Sequence, residues 1–285
     1  MPWRNSELSL AKHARLRFYA DRLRVRRWLL ANQLRAAFSP AAAPPVGRYF
    51  FLHLPKTAGS SLRYVLREYF RGVSVCELAD WADIAAADAS RLSSTHLIQA
   101  HFRMGWEQQL GLSWKPDAIR YMTMLRDPVQ RVISHYHYFR TLREDVAEVD
   151  QLAVSVAKGG TLMDFVSDER LLVSRHVTNL QAFLLSEDGI ELEDEAALRE
   201  SALDNLRQFF YVGITEEFDA AVALLGEMLG SKRSVTPLVR NRTPGAQKAV
   251  ASAADLAVIR ERNSADIAVY EQACDRYRSL QGAYS

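Results

Sequence analysis

Residues 54–61 combine a lysine, a glycine and three hydroxyl side chains in one short segment. The apolar run Arg48–Leu54 before it is of strand type, and the residues after Gly59 have helical character. The segment is therefore predicted to join a buried strand to a helix whose unpaired N–H groups and positive dipole end attract anions. Lys56 adds a full positive charge. The hydroxyl donors are Thr57, Ser60 and Ser61.

Spacing alone leaves two interpretations of this segment open. The nucleotide-binding loop G-x-x-x-x-G-K-[ST] carries its lysine after the second glycine, whereas Lys56 precedes Gly59 and the first glycine is missing. The segment is thus either an anion-binding loop of another kind or a tight connection with a solvated lysine. Ser60 is the predicted cap of a helix that runs to about Arg71. Gly59 permits a close backbone approach or a positive φ angle.

A second cluster follows the apolar run Arg120–Leu125. Arg126 stands at the carboxyl end of this predicted strand, and Asp127 followed by Pro128 is typical of a helix start. A guanidinium grips a phosphate through a planar fork of donors, and Ser134 can add a hydroxyl from the first two turns of the helix. The alternative is a structural ion pair between Arg126 and Asp127 or another acid.

Strand-type runs alternate with helical stretches along the chain. Strands are predicted at 48–54, 73–76, 97–101, 120–125 and 209–215. Helices are predicted at 60–71 and 80–90, from 128, over several stretches of 149–206, and at 216–229 and 253–276. This alternation predicts an α/β architecture with a mainly parallel sheet, in which ligands bind beyond the carboxyl ends of the strands.

The composition is that of an ordinary globular chain. The 285 residues are 48% hydrophobic and 25% charged, which excludes collagen-like, low-complexity and wholly disordered proteins. Cys76 and Cys274 are the only cysteines, so a disulfide framework and a four-cysteine zinc site are excluded, and no metal is expected. Because no run of about 18 apolar residues and no secretory signal occur, we expect a cytoplasmic protein.

The first 35 residues carry a strong positive charge. They hold nine of the 36 basic residues and only two acids. The Pro/Ala-rich stretch 39–45 then predicts a linker, so that residues 1–46 form a basic helical arm and linker and residues 47–285 the main domain. Residues 10–36 are predicted to form a basic amphipathic helix, either docked on the domain or in peripheral contact with an anionic membrane. The acidic remainder argues against a nucleic-acid partner.

The two motifs together resemble those of sulfotransferases that use 3′-phosphoadenosine 5′-phosphosulfate (PAPS). The two motifs are most similar to those of the carbohydrate branch, as in the heparan sulfate 2-O- and 6-O-sulfotransferases and their bacterial relatives. His53–Leu62 resembles the loop H-x-P-K-T-[AG]-G-[ST]-[ST], and Leu125–Tyr136 resembles L-R-[DN]-P-x-x-R-x-x-S-x-Y. Tyr211–Glu216 resembles a later family segment more weakly. The resemblance covers about residues 47–245 and implies a P-loop-like three-layer sandwich.

The resemblance also implies a role for each matching residue. Lys56 would contact the phosphosulfate and stabilise charge on the leaving phosphate. Arg126 and Ser134 would bind the 3′-phosphate and so distinguish PAPS from ATP. The residues implied to line the 5′-phosphate site are Thr57, Ala58, Gly59, Ser60 and Ser61. PAPS would be the co-substrate, and the scheme requires no metal.

The acceptor hydroxyl needs a general base, and His101 is the first candidate. It ends the predicted strand 97–101 on the ligand side of the sheet, and the heparan-type enzymes carry a histidine at a similar strand end. His53, next to the loop, is the second candidate. The alternative for either is a hydrogen-bonded structural histidine.

The sequence therefore predicts an enzyme that moves a sulfuryl group from PAPS to a hydroxyl acceptor, expected to be a saccharide or glycolipid. Transfer would proceed by in-line displacement with a histidine base. A nucleotide-dependent kinase and a non-catalytic nucleotide- or polyanion-binding module are the alternatives. The oligomeric state is left open.

Overall fold

The structure is a computed structural model that describes residues 27, 45–78, 83, 88–105, 118–142, 148–173, 175–191, 193–231, 233, 235 and 251–284. The predictions for the basic arm and linker lie outside the described residues, except at 27, 45 and 46. The loop at 241–245 lies outside them as well. Among the described residues, no helix has the length and apolarity needed to cross a membrane.

Within the described ranges, five strands form one sheet in which every pairing is parallel. The strands are β1 (Arg48–Leu52), β2 (Val75–Leu78), β3 (Leu97–Ala100), β4 (Ile119–Leu125) and β5 (Tyr211–Ile214). Their spatial order is β2-β3-β1-β4-β5. In the central strand, Phe51 pairs with Gln99 of β3 on one side and Met122 of β4 on the other. The buried positions of β1, β3 and β5 explain their continuous apolar runs.

Helices flank this sheet, and the predicted three-layer α/β sandwich is confirmed. The helices are α1 (Gly59–Tyr69), α2 (Ala89–Ser94), α3 (Pro128–Thr141), α4 (Glu148–Gly159), α5 (Leu162–Ser167), α6 (Arg170–Val173), α7 (Leu180–Leu185), α8 (Glu195–Gln208), α9 (Phe218–Met228), α10 (Ala253–Arg262) and α11 (Ser264–Tyr284). The larger hydrophobic core surrounds the sheet, and a smaller one joins α3, α4, α5 and α10.

The single helix predicted at 253–276 is wrong, because the chain breaks at Asn263 into α10 and α11. The Asn263 side chain is buried, and its amide donates to the Val177 and Ile259 carbonyl oxygens, each at 2.8 Å. Its side-chain oxygen accepts the N–H of Asn179 at 3.0 Å. These bonds satisfy a polar side chain in the interior and fix the break against the segment before α7.

The strand order places four loops at one edge of the sheet. The chain passes from β1 to β2 and β3 on one side, then crosses to β4 and β5 on the other. Because β1 lies between β3 and β4, its carboxyl end is the point where the winding reverses. The segments that meet at this edge are 53–58, 101–103, 126–127 and 215–216.

Candidate functional site

The loop between β1 and α1 holds two non-glycine residues in the left-handed region. Lys56 has φ 69° and Ala58 has φ 63°, a conformation that costs an L-residue about 1–2 kcal/mol. The Thr57 hydroxyl donates to the Leu54 carbonyl oxygen at 2.9 Å and secures the turn. No side chain caps the start of α1, and the first N–H groups of a helix have no acceptor within the helix. At the start of this 11-residue helix, N–H groups in that position can hold an anion.

The helix start differs from the prediction in its capping residue. Ala58 rather than Ser60 occupies the cap position, and no side chain there bonds to the first turn. The carbonyl of Ala58 accepts the N–H groups of Ser61 and Leu62 at 2.8 and 3.1 Å. No side chain at this cap therefore competes with a ligand for the first N–H groups of the helix.

Gly59 is required by a close approach and not by its φ angle. A Cβ atom at this position would lie 1.8 Å from Cδ2 of His53. Any side chain at residue 59 would therefore displace the His53 ring. Of the two reasons that the sequence suggested for this glycine, the structure supports the backbone approach.

Lys56 lies in a partly buried position above an aromatic ring. Its Nζ is 4.0 Å from the centre of the Tyr138 ring on α3, a cation–π contact. Burial lowers the pKa of Lys56 to about 8, and the charge of Arg126 lowers it further in the same direction. The free protein therefore holds a lysine whose charge is costly, and a bound anion would relieve that cost.

Arg126 is brought to the same loop from 70 residues away. Its Nη1 donates to the Lys56 carbonyl oxygen at 3.2 Å. The side chain of Gln181, buried on α7, accepts the Arg126 N–H at 3.0 Å and donates to the Arg126 carbonyl at 2.9 Å. The backbone of Arg126 is thus clamped while its guanidinium reaches the loop. The two sequence motifs form one basic site.

The acid nearest to Arg126 is Glu216, not Asp127. The Asp127 carboxylate caps α3 by accepting the Gln130 N–H at 2.8 Å. Glu216 Oε1 lies 3.9 Å from Nε of Arg126 and accepts the Asp127 N–H at 3.3 Å. Tyr270 of α11 donates to Glu216 Oε2 at 3.0 Å. Because 3.9 Å exceeds the donor–acceptor distance of a hydrogen bond, Glu216 balances part of the charge of Arg126 without occupying its N–H donors.

Thr215 connects the two motifs, and sequence reasoning did not single it out as a site residue. Its hydroxyl lies 2.9 Å from the Thr57 carbonyl oxygen and 2.8 Å from that of Leu125, and these two acceptors share its single proton. The resemblance of Tyr211–Glu216 to a family segment was the signal that could have found it. Gln181 offered no such signal, because its partner lies 55 residues away.

Ser134 is half-buried on α3, in the helix that follows Arg126. It makes no hydrogen bond to Arg126 among the described residues. The neighbouring Arg131 is fully buried and lies 3.7 Å from the equally buried Asp266 of α11. His135 and His137 are buried as well. Most of α3 therefore packs into the fold, and Tyr138 is its contact with Lys56.

The two candidate bases lie side by side. His101 directly follows β3, and its ring centre is 4.0 Å from that of His53. Burial, and then the charge of Arg63, lower the pKa of His101 to about 4, while a hydrogen bond to the His53 backbone opposes the shift. Burial also holds the pKa of His53 well below its ordinary value. Both rings are neutral at pH 7, the form that accepts a proton.

No protein-family model and no curated protein matches this chain. The geometry of the site therefore carries the argument about function.

Proposed function

We propose that this protein is a sulfotransferase that moves the sulfuryl group of PAPS to a hydroxyl acceptor, expected to be a saccharide or glycolipid. The observation that carries the proposal is the hydrogen bond from Arg126 to the Lys56 carbonyl. It unites two cationic strand–helix junctions at the reversal point of a parallel sheet, where α/β proteins bind ligands.

The chemistry of the donors fits a ligand with two separate phosphate groups. The loop offers the first N–H groups of α1, Lys56 and the half-buried Ser60 to one anion. Arg126 offers a second cationic group, and its Nε is buried with no hydrogen-bond partner in the described part of the chain. PAPS carries a 5′-phosphosulfate and a 3′-phosphate. A nucleoside triphosphate lacks the 3′-phosphate, so Arg126 favours PAPS over ATP.

Sulfuryl transfer relies on alignment and on stabilisation of developing charge. PAPS supplies the sulfuryl group, whose bond to the phosphate oxygen breaks as the acceptor oxygen bonds to sulfur. Lys56 stabilises the negative charge that accumulates on the departing phosphate. The loop N–H groups hold that phosphate in place throughout the transfer. These contacts strengthen as charge develops, which is the condition for catalysis.

His101 is the proposed base that takes the proton of the acceptor hydroxyl. Its hydrogen bond to the His53 backbone fixes the ring and leaves the second nitrogen as acceptor. His53 fits this role less well, because only 5% of its surface is exposed to an incoming acceptor. The negative charge of a bound phosphosulfate raises the pKa of His101 towards neutral pH, where a general base is most effective.

The experiment that tests the proposal is calorimetric titration with 3′-phosphoadenosine 5′-phosphate (PAP), with ATP in parallel. The variants are Lys56→Ala and Arg126→Ala. Arg120→Ala is the matched control, because it removes the same charge from the opposite end of β4, where Arg120 is exposed. Each site variant should lose about 10- to 150-fold in PAP affinity, as expected for hydrogen bonds to charged groups.

Micromolar PAP binding, weak ATP binding and an unaffected Arg120→Ala variant would support the proposal. A preference for ATP would favour a kinase instead. PAP binding without sulfuryl turnover on any saccharide tested would favour a non-catalytic binding module. His101→Ala then separates the two functions of the site, because it should abolish turnover and leave PAP affinity within about threefold.

A further inference from the structure

The His53 ring contacts both the loop between β1 and α1 and the candidate base. It meets the backbone of Gly59 so closely that a Cβ there would lie 1.8 Å from Cδ2 and 2.1 Å from Nε2 of His53. Its centre is also 4.0 Å from the centre of the His101 ring. Gly59 and His101 thus both contact this one side chain.

Packing holds this ring in place more than hydrogen bonding does. His53 stacks against Phe51 with ring centres 5.5 Å apart. Its Nδ1 is buried and has no hydrogen-bond partner in the described ranges. The backbone N–H of His53 donates to the Ala100 carbonyl at 2.8 Å, directly before His101. A close-packed interior transmits a displacement from one neighbour to the next.

Several charged groups surround the pair of rings. Arg63 of α1 and Glu77 of β2 form an ion pair and line a cavity of about 10 Å³ with both histidines and Gln99. The charges of Arg63 and Lys56 also disfavour protonation of His53. The neutral His53 ring therefore acts on His101 through contact and exclusion of solvent, while Arg63 and Glu77 supply the nearby charge.

We propose that His53 is a positioning residue whose ring transmits the position of the phosphate-binding loop to His101. An anion seated in the loop would then fix the base through the His53 ring, and an empty loop would leave the base less well fixed. This inference deepens the proposed function and rests on it for its catalytic meaning. The mechanical contact itself can be tested without a nucleotide.

The test is a double-variant comparison by NMR on the full chain with ¹⁵N-labelled histidine. The imidazole signals of His101 are titrated with acid in the wild type, Gly59→Ala, His53→Ala and the combined variant. His96 is the internal control, because it lies just before β3 and contacts Ser74 at 3.0 Å, away from this cluster.

Removal of the His53 ring should admit solvent and raise the pKa of His101 by about one pH unit or more. Gly59→Ala should move the His101 signals as the methyl group displaces the His53 ring. In the His53→Ala background the same methyl group should not move the His101 signals, because the ring that transmits the displacement is absent. The signals of His96 should be the same in all four proteins at each pH.

The proposal would be overturned if Gly59→Ala shifted the His101 signals equally with and without the His53 ring. If Gly59→Ala does not fold, His53→Ala alone decides, because an unchanged His101 titration refutes the contact. PAP, at concentrations that saturate each variant by calorimetry, tests the functional link. It should shift the His101 signals more in the wild type than in His53→Ala, where only the charge of the bound phosphate acts on His101, and equal shifts in the two proteins would reject the link. Failure of PAP to bind the wild type would reject the proposed function and leave the ligand-free comparison as the test of His53.

Discussion

Lys56 should make anion binding depend on pH in the slightly alkaline range. Its pKa in the free protein is about 8, because burial and the charge of Arg126 disfavour the protonated form. A phosphate dianion binds the protonated lysine and raises its pKa. Binding therefore takes up protons, and the affinity for PAP should be full below pH 8 and fall as the pH rises through 8.

The magnitude follows from the fraction of Lys56 that is protonated. With a pKa of about 8, that fraction is about nine tenths at pH 7 and about one tenth at pH 9. If only the protonated form binds, the affinity falls about tenfold between these values, or about 1.4 kcal/mol. At pH 8 the free protein should take up about half a proton on binding. Partial burial raises the pKa of the Cys274 thiol and burial lowers that of His101, so both groups are shifted away from this window.

The assay is calorimetry of PAP between pH 7 and 9 in buffers of different ionisation enthalpy, which gives affinity and proton uptake together. Lys56→Arg is the matched variant, because a guanidinium stays charged over the whole range and its affinity should not change with pH. Lys56→Met should bind weakly at every pH. A flat profile in the wild type, or an unchanged slope in Lys56→Met, would refute the reasoning.

Four further outcomes are expected. Arg126→Lys should lower the affinity for PAP about tenfold and leave that for adenosine 5′-phosphate unchanged by calorimetry, because the forked donor is lost; equal losses would contradict this. Thr215→Val should cost about 1–3 kcal/mol in urea unfolding, because it removes the hydroxyl shared by two carbonyls, and a loss below about 0.5 kcal/mol would count against it. Asp266→Ala should cost about 3–5 kcal/mol in the same assay, with much of this recovered by Arg131→Met/Asp266→Leu, since a lone buried charge is worse than none; no recovery in the double variant would argue otherwise. Deletion of residues 1–36 should abolish co-sedimentation with phosphatidylserine vesicles, and unchanged binding would remove the membrane interpretation of the arm.

Local pattern was enough to predict the parts of the site that lie within one strand–helix junction. The apolar run before Lys56 and the Asp127–Pro128 pair before α3 are short-range signals, and the structure places β1, β4 and the start of α3 as they indicate. The alternation of strands and helices likewise predicted the α/β architecture with a parallel sheet, because parallel strands require helical crossovers. The carboxyl-edge position of His101 followed from the same reasoning.

Contacts between distant segments could not be read from the sequence. The helix break at Asn263 depends in part on bonds to Val177 and Asn179, which lie 86 and 84 residues away. The acid beside Arg126 was expected to be Asp127 or another residue, and only the fold brings Glu216 there from the turn after β5. The choice of Ala58 as the helix cap depends on a left-handed loop that hydroxyl-based capping rules do not predict.

The amino-acid sequence was enough to tell which residues could bind an anion and at which end of each strand they stand, because residue type and hydrophobic period are local properties. The fold was needed to show that Lys56 and Arg126 lie together, and that Thr215 connects their two loops. It also decided why residue 59 is glycine, since the His53 ring occupies the space of any side chain there. Such contacts join segments that meet only when the sheet forms and its core packs. The residue types of the site can therefore be recognised in the local sequence, whereas their arrangement depends on the fold.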